Sequence, residues 1–336
     1  MRVPVYIFSY NRLRYLKNAI KSVERFYPYS KIYIVDDGSD DVDMLEFIQQ
    51  NATVYNFIFP NSSVCGDRGG LYTNLNYCVY HAKQNGFQYV GFMFDDLQFV
   101  REWEEGTTEK YINFLSANKK RCYAIGSGFI PLTEKAIGLD SKLELNMGLF
   151  VPKKDCECPV YRFADGGFIS VDNFISLMGK FEIDEKQNQK KAIDKSLIVG
   201  SDPAPYITRL PFQEFKRRGR NPKAIELYNI VSRRGFYPIK YMTEEQILKL
   251  KSSNKVPYAE EWLHSDKIQK KIWSFWGDSF GLELLEEQEK KDLAEKLFWI
   301  DNNITDLEQA DNMIIELCEK HLYDTLNSKN PPFSYN

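Results

Sequence analysis

The chain has 336 residues, 43% hydrophobic and 27% charged, and this length predicts roughly two domains, or one large domain with an appendage, at about 150 residues each. Its 44 Lys and Arg against 47 Asp and Glu leave a formal charge of −3. That balance excludes a global basic field for nucleic acid or anionic lipid. The 23 Phe, 21 Tyr and 5 Trp residues exclude disorder, because disordered chains lack so much aromatic surface.

Strand and helix patterns alternate over the N-terminal part of the chain. Residues 3–8 form a short apolar run, and an amphipathic helix follows, with apolar residues at three- and four-residue spacing: Leu13, Leu16, Ile20 and Val23. Later runs predict a helix over 74–85 and strands over 31–35, 53–59 and 89–94. Such strand–helix–strand units build parallel sheets, so we predict an α/β fold with a mostly parallel central sheet flanked by helices.

The composition changes to helix-forming residues after residue 242. Thr243 and Gln246 have the spacing of a capping box, and Ile247, Leu248 and Leu250 follow them. We therefore predict one α/β domain over 1–242 and a helical C-terminal appendage over 243–336.

The cysteines indicate a reducing compartment. The six cysteines are scattered, and the closest pair, Cys156 and Cys158, lacks the two-residue gap and the second pair of a zinc site. The N-terminal run turns polar at Ser9, early for a secretory signal, and no apolar run approaches the ~18 residues of a membrane span. We expect a cytoplasmic protein without a membrane span.

Polar side chains follow three of the predicted strands. Ser9 and Asn11 come after the first, Asp36 and Asp37 after the second, and the Asp95-Asp96 pair after the strand at 89–94. Because ligands bind at the carboxyl ends of strands in open parallel sheets, these side chains predict a binding site there. A paired carboxylate suits Mn²⁺ or Mg²⁺ bridging a diphosphate, although solvated Asp-Asp turns are common.

The same segments carry a family resemblance. Phe8-Ser9-Tyr10-Asn11-Arg12, Asp36-Asp37-Gly38-Ser39-Asp40 and Phe92-Met93-Phe94-Asp95-Asp96 occur in this order and together resemble family 2 glycosyltransferases with the GT-A fold. The resemblance implies a Rossmann-like GT-A fold with a nucleotide-sugar half over about 1–100 and an acceptor half over about 101–242. It also implies metal-dependent, inverting transfer from a nucleoside-diphosphate sugar, with UDP-sugar favoured.

The resemblance assigns roles to individual residues of the first half. Tyr10 would flank the base, Asp37 would accept from its imide, and Asp95 would touch the ribose. Phe94 stands where many members have the first Asp of the DxD segment, so Asp96 would ligate the metal, Mn²⁺ or Mg²⁺. The full implied nucleotide-sugar set is Phe8, Ser9, Tyr10, Asn11, Arg12, Asp37, Arg68 and Asp95.

A second block resembles the acceptor side of the family. Gly166-Gly167-Phe168, followed by Gly179-Lys180-Phe181-Glu182, matches the family's acceptor stretch, and Gly200-Ser201-Asp202 parallels its Glu-Asp motif with Ser201 in place of Glu. By that match, Asp202 is the general base. Asp172 and Asp165 remain alternatives for this role.

A basic stretch over 216–240 predicts part of the surface that binds the acceptor. Together with the acceptor stretch of the family resemblance, it gives these predicted acceptor-binding residues: Gly166, Gly167, Phe168, Lys216, Arg217, Arg218 and Arg220. The simpler interpretation of this basic stretch is a helix face exposed to solvent. The more specific interpretation is a surface that binds a polyanionic acceptor. A glycan or lipid-linked glycan is favoured. The alternatives are a phage-type DNA glycosyltransferase that modifies a hydroxymethylated base or its attached sugar, and a non-catalytic nucleotide-sugar or glycan binding module.

Overall fold

The computed structural model describes residues 2–60, 70–130, 138–153, 167–183, 185–210, 239 and 241–263. The chain divides into two compact units: Met1–Ile130, Ile137–Arg209 and Lys240–Pro257 form the first, and Pro131–Ala136, Leu210–Ile239 and Tyr258–Asn336 form the second. The site residues that the structure describes all lie in the first unit. The predicted division into a domain over 1–242 and a helical appendage over 243–336 stays a prediction.

The secondary structure alternates as the apolar pattern predicts. Within the described ranges, the strands are β1 (Val5–Ser9), β2 (Ile32–Asp36), β3 (Asn56–Ile58), β4 (Tyr89–Phe94), β5 (Leu97–Phe99), β6 (Cys122–Gly126), β7 (Leu143–Asn146), β8 (Leu149–Pro152), β9 (Gly167–Ser170), β10 (Ile198–Ser201) and β11 (Ile207–Arg209). The helices there are α1 (Leu13–Phe26), α2 (Val42–Asn51), α3 (Gly70–Gln84), α4 (Thr107–Ala117), α5 (Leu139–Lys142), α6 (Val171–Leu177), α7 (Glu185–Asp194), α8 (Glu244–Ser252) and α9 (Ala259–Leu263).

A nine-stranded sheet organises the first unit, in the order β3-β2-β1-β4-β9-β6-β10-β8-β7. β1 pairs in parallel with β2 and β4, and β6 pairs in parallel with β10. β9 and β8 run against the rest, so the sheet is mostly parallel in direction, which confirms the predicted fold class. β5 follows directly after the Asp95-Asp96 turn and pairs with β11 in a separate antiparallel sheet of two strands.

The core lies on both faces of this sheet. Side chains alternate across a strand, so Val5 and Ile7 of β1 pack in the cluster that includes Leu16 of α1. Tyr6 and Phe8 face the other side and pack in the cluster that includes Leu75 of α3. Burial on both faces explains why β1 is a continuous apolar run and not an alternating one.

Tertiary contacts change some predicted boundaries. The strand predicted over 53–59 is only Asn56–Ile58, because the N–H groups of Val54 and Tyr55 donate to the Asn51 carbonyl and prolong the end of α2. The helix predicted over 74–85 begins at Gly70. The capping box that starts α8 is confirmed, with Gln246 N–H donating to Thr243 Oγ1 at 3.2 Å and Thr243 N–H donating to Gln246 Oε1 at 2.9 Å.

Candidate functional site

The sheet register brings the predicted strand-end residues to one edge. Ser9 at the end of β1 pairs with Asp36 at the end of β2, and Phe8 pairs with Phe94 at the end of β4. At the end of β1, the Ser9 carbonyl accepts from Asp37 N–H and the Phe8 carbonyl accepts from Asp95 N–H, at 3.0 Å each. The three polar segments are therefore neighbours at the carboxyl edge of the sheet, as the pattern predicts.

Asn11 joins the first two of these segments. Its backbone has a φ of 53°, in the left-handed region that Asn tolerates better than most residues. Its N–H donates to Ser39 Oγ at 2.9 Å, its Nδ2 donates to Asp40 Oδ1 at 2.5 Å, and its Oδ1 accepts from the N–H groups of Asp40 and Asp41 at 2.9 and 3.0 Å. The described contacts of Asn11 hold the two loops together.

The two acids after β2 have different roles. Asp36 is buried and accepts from the N–H groups of Gly38 and Ser39 at 3.1 and 2.9 Å and from the Ser39 hydroxyl at 2.5 Å. Asp36 thus fixes the turn, in which Gly38 has a φ of 79°. Asp37 is half-buried, and its position follows from the turn that Asp36 holds.

Arg12 and Asp95 form a buried ion pair at the centre of this edge. Arg12 Nε donates to Asp95 Oδ2 at 3.1 Å and Arg12 Nη2 donates to Asp95 Oδ1, while the Ser9 hydroxyl donates to Asp95 Oδ2 at 2.9 Å. Burial raises the pKa of Asp95 to about 6, although Arg12 lowers it. Burial lowers the pKa of Arg12, but the negative charges of Asp95 and Asp96 raise it by more than burial lowers it. The pKa of Arg12 therefore lies above its ordinary value.

Asp96 presents the least satisfied carboxylate of the site. It is only 6% exposed, and its Oδ2 lies 3.6 Å from Arg12 Nη1. Its Oδ1 is buried and has no hydrogen-bond partner among the described residues. A buried carboxylate oxygen without a partner is unfavourable, so Asp96 Oδ1 has the chemistry to hold a cation.

The aromatic residues of the first motif divide between core and surface. Phe8 is buried and packs edge-to-face against Phe92 and Phe94. Its side chain is part of the core, which corrects the expectation that it contacts a nucleotide. Tyr10 is 49% exposed and can flank a ligand.

Asp202 lies beyond the end of β10 in a fully bonded environment. Its Oδ2 accepts from Lys110 Nζ at 2.6 Å and from the Tyr111 hydroxyl at 2.7 Å, and its Oδ1 accepts from Ala204 N–H at 2.8 Å. Burial raises the pKa of Tyr111 well above its ordinary value, and the negative charge of Asp202 adds to that increase. This is the environment of a charge-neutralised buried carboxylate, and the sequence patterns did not indicate Lys110 or Tyr111.

The remaining predicted residues lie elsewhere. Asp172 follows β9, whose last residue Ser170 pairs with Tyr89, the first residue of β4, so Asp172 lies at the opposite edge of the sheet. Phe168 is buried against the rings of Tyr89 and Tyr111, which leaves no surface for acceptor contact. Gly167, also buried, starts β9 between β4 and β6. The following predicted residues lie outside the described residues: Arg68, Asp165, Gly166, Lys216, Arg217, Arg218 and Arg220.

The comparison with family models agrees with this arrangement. Residues 5–169 match the model of glycosyl transferase family 2, a range that contains β1, β2 and β4 with their polar ends. This part of the chain is a glycosyl transferase family 2 domain. The predicted family is confirmed, and the protein is a glycosyltransferase.

Solved structures with similarity to this glycosyltransferase are distant. Residues 1–349 of TarS from S. aureus are 12% identical with a TM-score of 0.41, covering 100% of this chain and 93% of that one. A cytidylyltransferase from Leptospira borgpetersenii is 9% identical with a TM-score of 0.36, covering 76% and 95%. No curated protein matches the chain. These similarities identify neither a donor nor an acceptor.

Two further observations bound the glycosyltransferase site. Among the residues that the structure describes, no three His, Cys, Asp or Glu side chains gather into a cluster that could hold a metal ion by themselves. A cation at Asp96 would therefore need oxygens from its substrate. No helix in the described ranges is long and apolar enough to cross a membrane, and the cytoplasmic location stays a prediction.

Proposed function

We propose that this glycosyltransferase is metal-dependent and inverting, and that it transfers a sugar from a UDP-sugar to a hydroxyl group of a glycan or lipid-linked glycan. The observation that carries the proposal is the buried, unpartnered Oδ1 of Asp96 beside the Arg12–Asp95 pair. A carboxylate oxygen in this state fits a hard cation, and Mn²⁺ or Mg²⁺ needs only one or two carboxylates when phosphate oxygens and waters complete its shell.

Each described residue of this edge has a part in holding the donor. Asp96 would hold the cation, which when bound neutralises charge that develops on the leaving diphosphate. Arg12 orients the Asp95 carboxylate, which is fully buried and would have to become accessible before it accepts a hydrogen bond from the ribose. Asp37 would accept from a ring N–H of the base, and the exposed ring of Tyr10 would flank it.

A general base would take the proton of the acceptor hydroxyl as the bond between the anomeric carbon and the diphosphate breaks. Asp202 stays a prediction for this role. Because both of its oxygens already accept hydrogen bonds, Asp202 would have to exchange one of them for the acceptor hydroxyl. Asp172 does not fit the role of general base, because it lies at the opposite edge of the sheet from the strand ends that form the site.

Asp202→Asn separates catalysis from structure. We expect it to lower the free energy of unfolding by about 1–3 kcal/mol, because the amide Nδ2 would face either Lys110 and Tyr111 or the N–H of Ala204, all of them donors. Urea unfolding measures this change. The matched control is Asp172→Asn, whose side chain is 64% exposed, with an expected change within about 0.5 kcal/mol. A base role additionally requires transfer to fall about 10²–10⁴-fold at unchanged donor affinity. Full transfer by Asp202→Asn would remove the base assignment.

The donor class is tested by thermal shift. UDP-sugars with Mn²⁺ are expected to raise the melting temperature in proportion to occupancy, and excess chelator is expected to abolish the increase. Other nucleoside-diphosphate sugars serve as controls for the base. Absence of a shift with every donor would contradict the proposal. For the acceptor, transfer to glycans should exceed transfer to hydroxymethylated duplex DNA, and the reverse result would favour the DNA alternative.

A further inference from the structure

The Asp37 carboxylate packs against a glycine that leaves no room for a side chain. A Cβ at Gly70, the first residue of α3, would lie 2.1 Å from Asp37 Oδ1, and the three nearest atoms to it all belong to the Asp37 carboxyl group. Any larger residue at position 70 would have to push this carboxylate away. The absence of a side chain at Gly70 therefore leaves the space that the Asp37 carboxylate occupies.

Asn74, one helical turn further along α3, holds the same carboxylate. Residues four apart share a helix face, and Asn74 Nδ2 donates to Asp37 Oδ1 at 2.6 Å. Asn74 is only 2% exposed, and its own Oδ1 is buried without a hydrogen-bond partner among the described residues. Burying an amide oxygen without a partner is unfavourable, so the hydrogen bond from Nδ2 to the Asp37 carboxylate is the described polar contact that holds this side chain here.

The backbone of Asp37 is already fixed from the other side. Asp37 N–H donates to the Ser9 carbonyl at 3.0 Å, and Asp36 holds the turn that follows. The remaining freedom of Asp37 is the rotation of its side chain, which Gly70 and Asn74 restrict. Together, these contacts preorganise one carboxylate at the site edge before any ligand arrives.

We propose that Asn74 and Gly70 are positioning residues that set the Asp37 carboxylate for recognition of the donor base. The inference rests on the proposed function, in which Asp37 accepts from a ring N–H. Uracil, thymine and guanine carry such a donor at N3 or N1, whereas cytosine and adenine have an acceptor nitrogen at the corresponding position. Positioning of this acceptor therefore affects both affinity for the base and discrimination between bases.

A double-mutant cycle tests the proposal. Binding is measured by calorimetry with Mn²⁺ for UDP, TDP, GDP, CDP and ADP in the wild type and in both single variants, and the ligand that the wild type binds most tightly is used for the full cycle. Gly70→Ala and Asn74→Ala are each expected to weaken its binding about tenfold, as for loss of one hydrogen bond to a charged group. In an Asp37→Ala background, each is expected to change binding less than about twofold, because the carboxylate that they position is gone.

Two controls separate positioning from general damage. Binding of Mn²⁺ with inorganic pyrophosphate, which has no base, should not change in either variant. Gly70→Ala should fold normally, because Ala is a good helix former and the clash involves only the Asp37 side chain. It keeps the proposal testable even when Asn74→Ala is unstable.

The outcomes are distinguishable from those of the proposed function. Wild-type protein that binds none of the five diphosphates would contradict the proposed function itself. Wild-type binding together with equal effects of Gly70→Ala or Asn74→Ala in the presence and absence of Asp37 would overturn the positioning role alone. An unchanged preference among the five bases in both single variants would also overturn it.

Discussion

Asp96→Asn is expected to reduce sugar transfer by about 10³-fold, which corresponds to about 4 kcal/mol of lost transition-state stabilisation. The substitution keeps the shape of the side chain but removes the negative charge that would hold the cation. Asp96 Oδ1 has no partner among the described residues, and Asp96 Oδ2 makes only a long contact of 3.6 Å with Arg12 Nη1. Removing the charge should therefore lower the melting temperature only slightly. Steady-state transfer and thermal unfolding measure the two effects.

The matched control is Asp43→Asn, which makes the same change at an exposed residue in the first turn of α2. Transfer by this variant should equal that of the wild type. Excess chelator should reproduce the loss of Asp96→Asn in the wild type and add little in the variant. Full transfer by Asp96→Asn, or by the wild type in chelator, would contradict metal dependence.

Arg12→Met is expected to lower the free energy of unfolding by about 2–4 kcal/mol. Breaking a buried ion pair by removing one partner leaves the other charge uncompensated, at a cost of about 3–5 kcal/mol. Asp95 is fully buried, but 24% of the Arg12 side chain is exposed, so the expected loss lies at the lower end. Urea unfolding measures it, and Arg14→Met, at an exposed position in the first turn of α1, the helix that begins directly after Arg12, is the matched control.

A second substitution tests the cause of this loss. Arg12→Met/Asp95→Asn should recover part of the stability, because the neutral amide no longer requires a counter-charge. Both the single and the double variant should lose donor binding, since neither presents an oriented Asp95 carboxylate. A double variant no more stable than Arg12→Met would show that the loss comes from packing of the Arg12 side chain.

The apolar pattern predicted the sheet well because it reports burial directly. The run of β1 is buried on both faces, and the periodic residues of α1 cover one of them. The burial pattern does not reveal where a short edge strand begins, and β3 begins only at Asn56 because the N–H groups of Val54 and Tyr55 donate to the Asn51 carbonyl at the end of α2. Helices α2, α4, α5, α6 and α7 were also not predicted.

The family motifs predicted which segments form the site, but they did not predict the role of each side chain in it. Asp36 and Asp37 are adjacent and identical in chemistry, yet Asp36 fixes the turn while Asp37 meets Asn74. Phe8 lies inside a motif and is a core residue. These differences arise because neighbouring residues of a strand end point in opposite directions.

The residue pattern was sufficient to predict the family, the α/β fold and the approach of three polar strand ends to one sheet edge. The composition also excluded a global basic field, since the charge is −3. The partners of each polar group became known only from the folded chain: Arg12 for Asp95, Lys110 for Asp202, and Asn74 and Gly70 for Asp37. These pairs join residues that lie from 33 to 92 positions apart in the sequence, and such separations leave no local periodic signal in a single sequence.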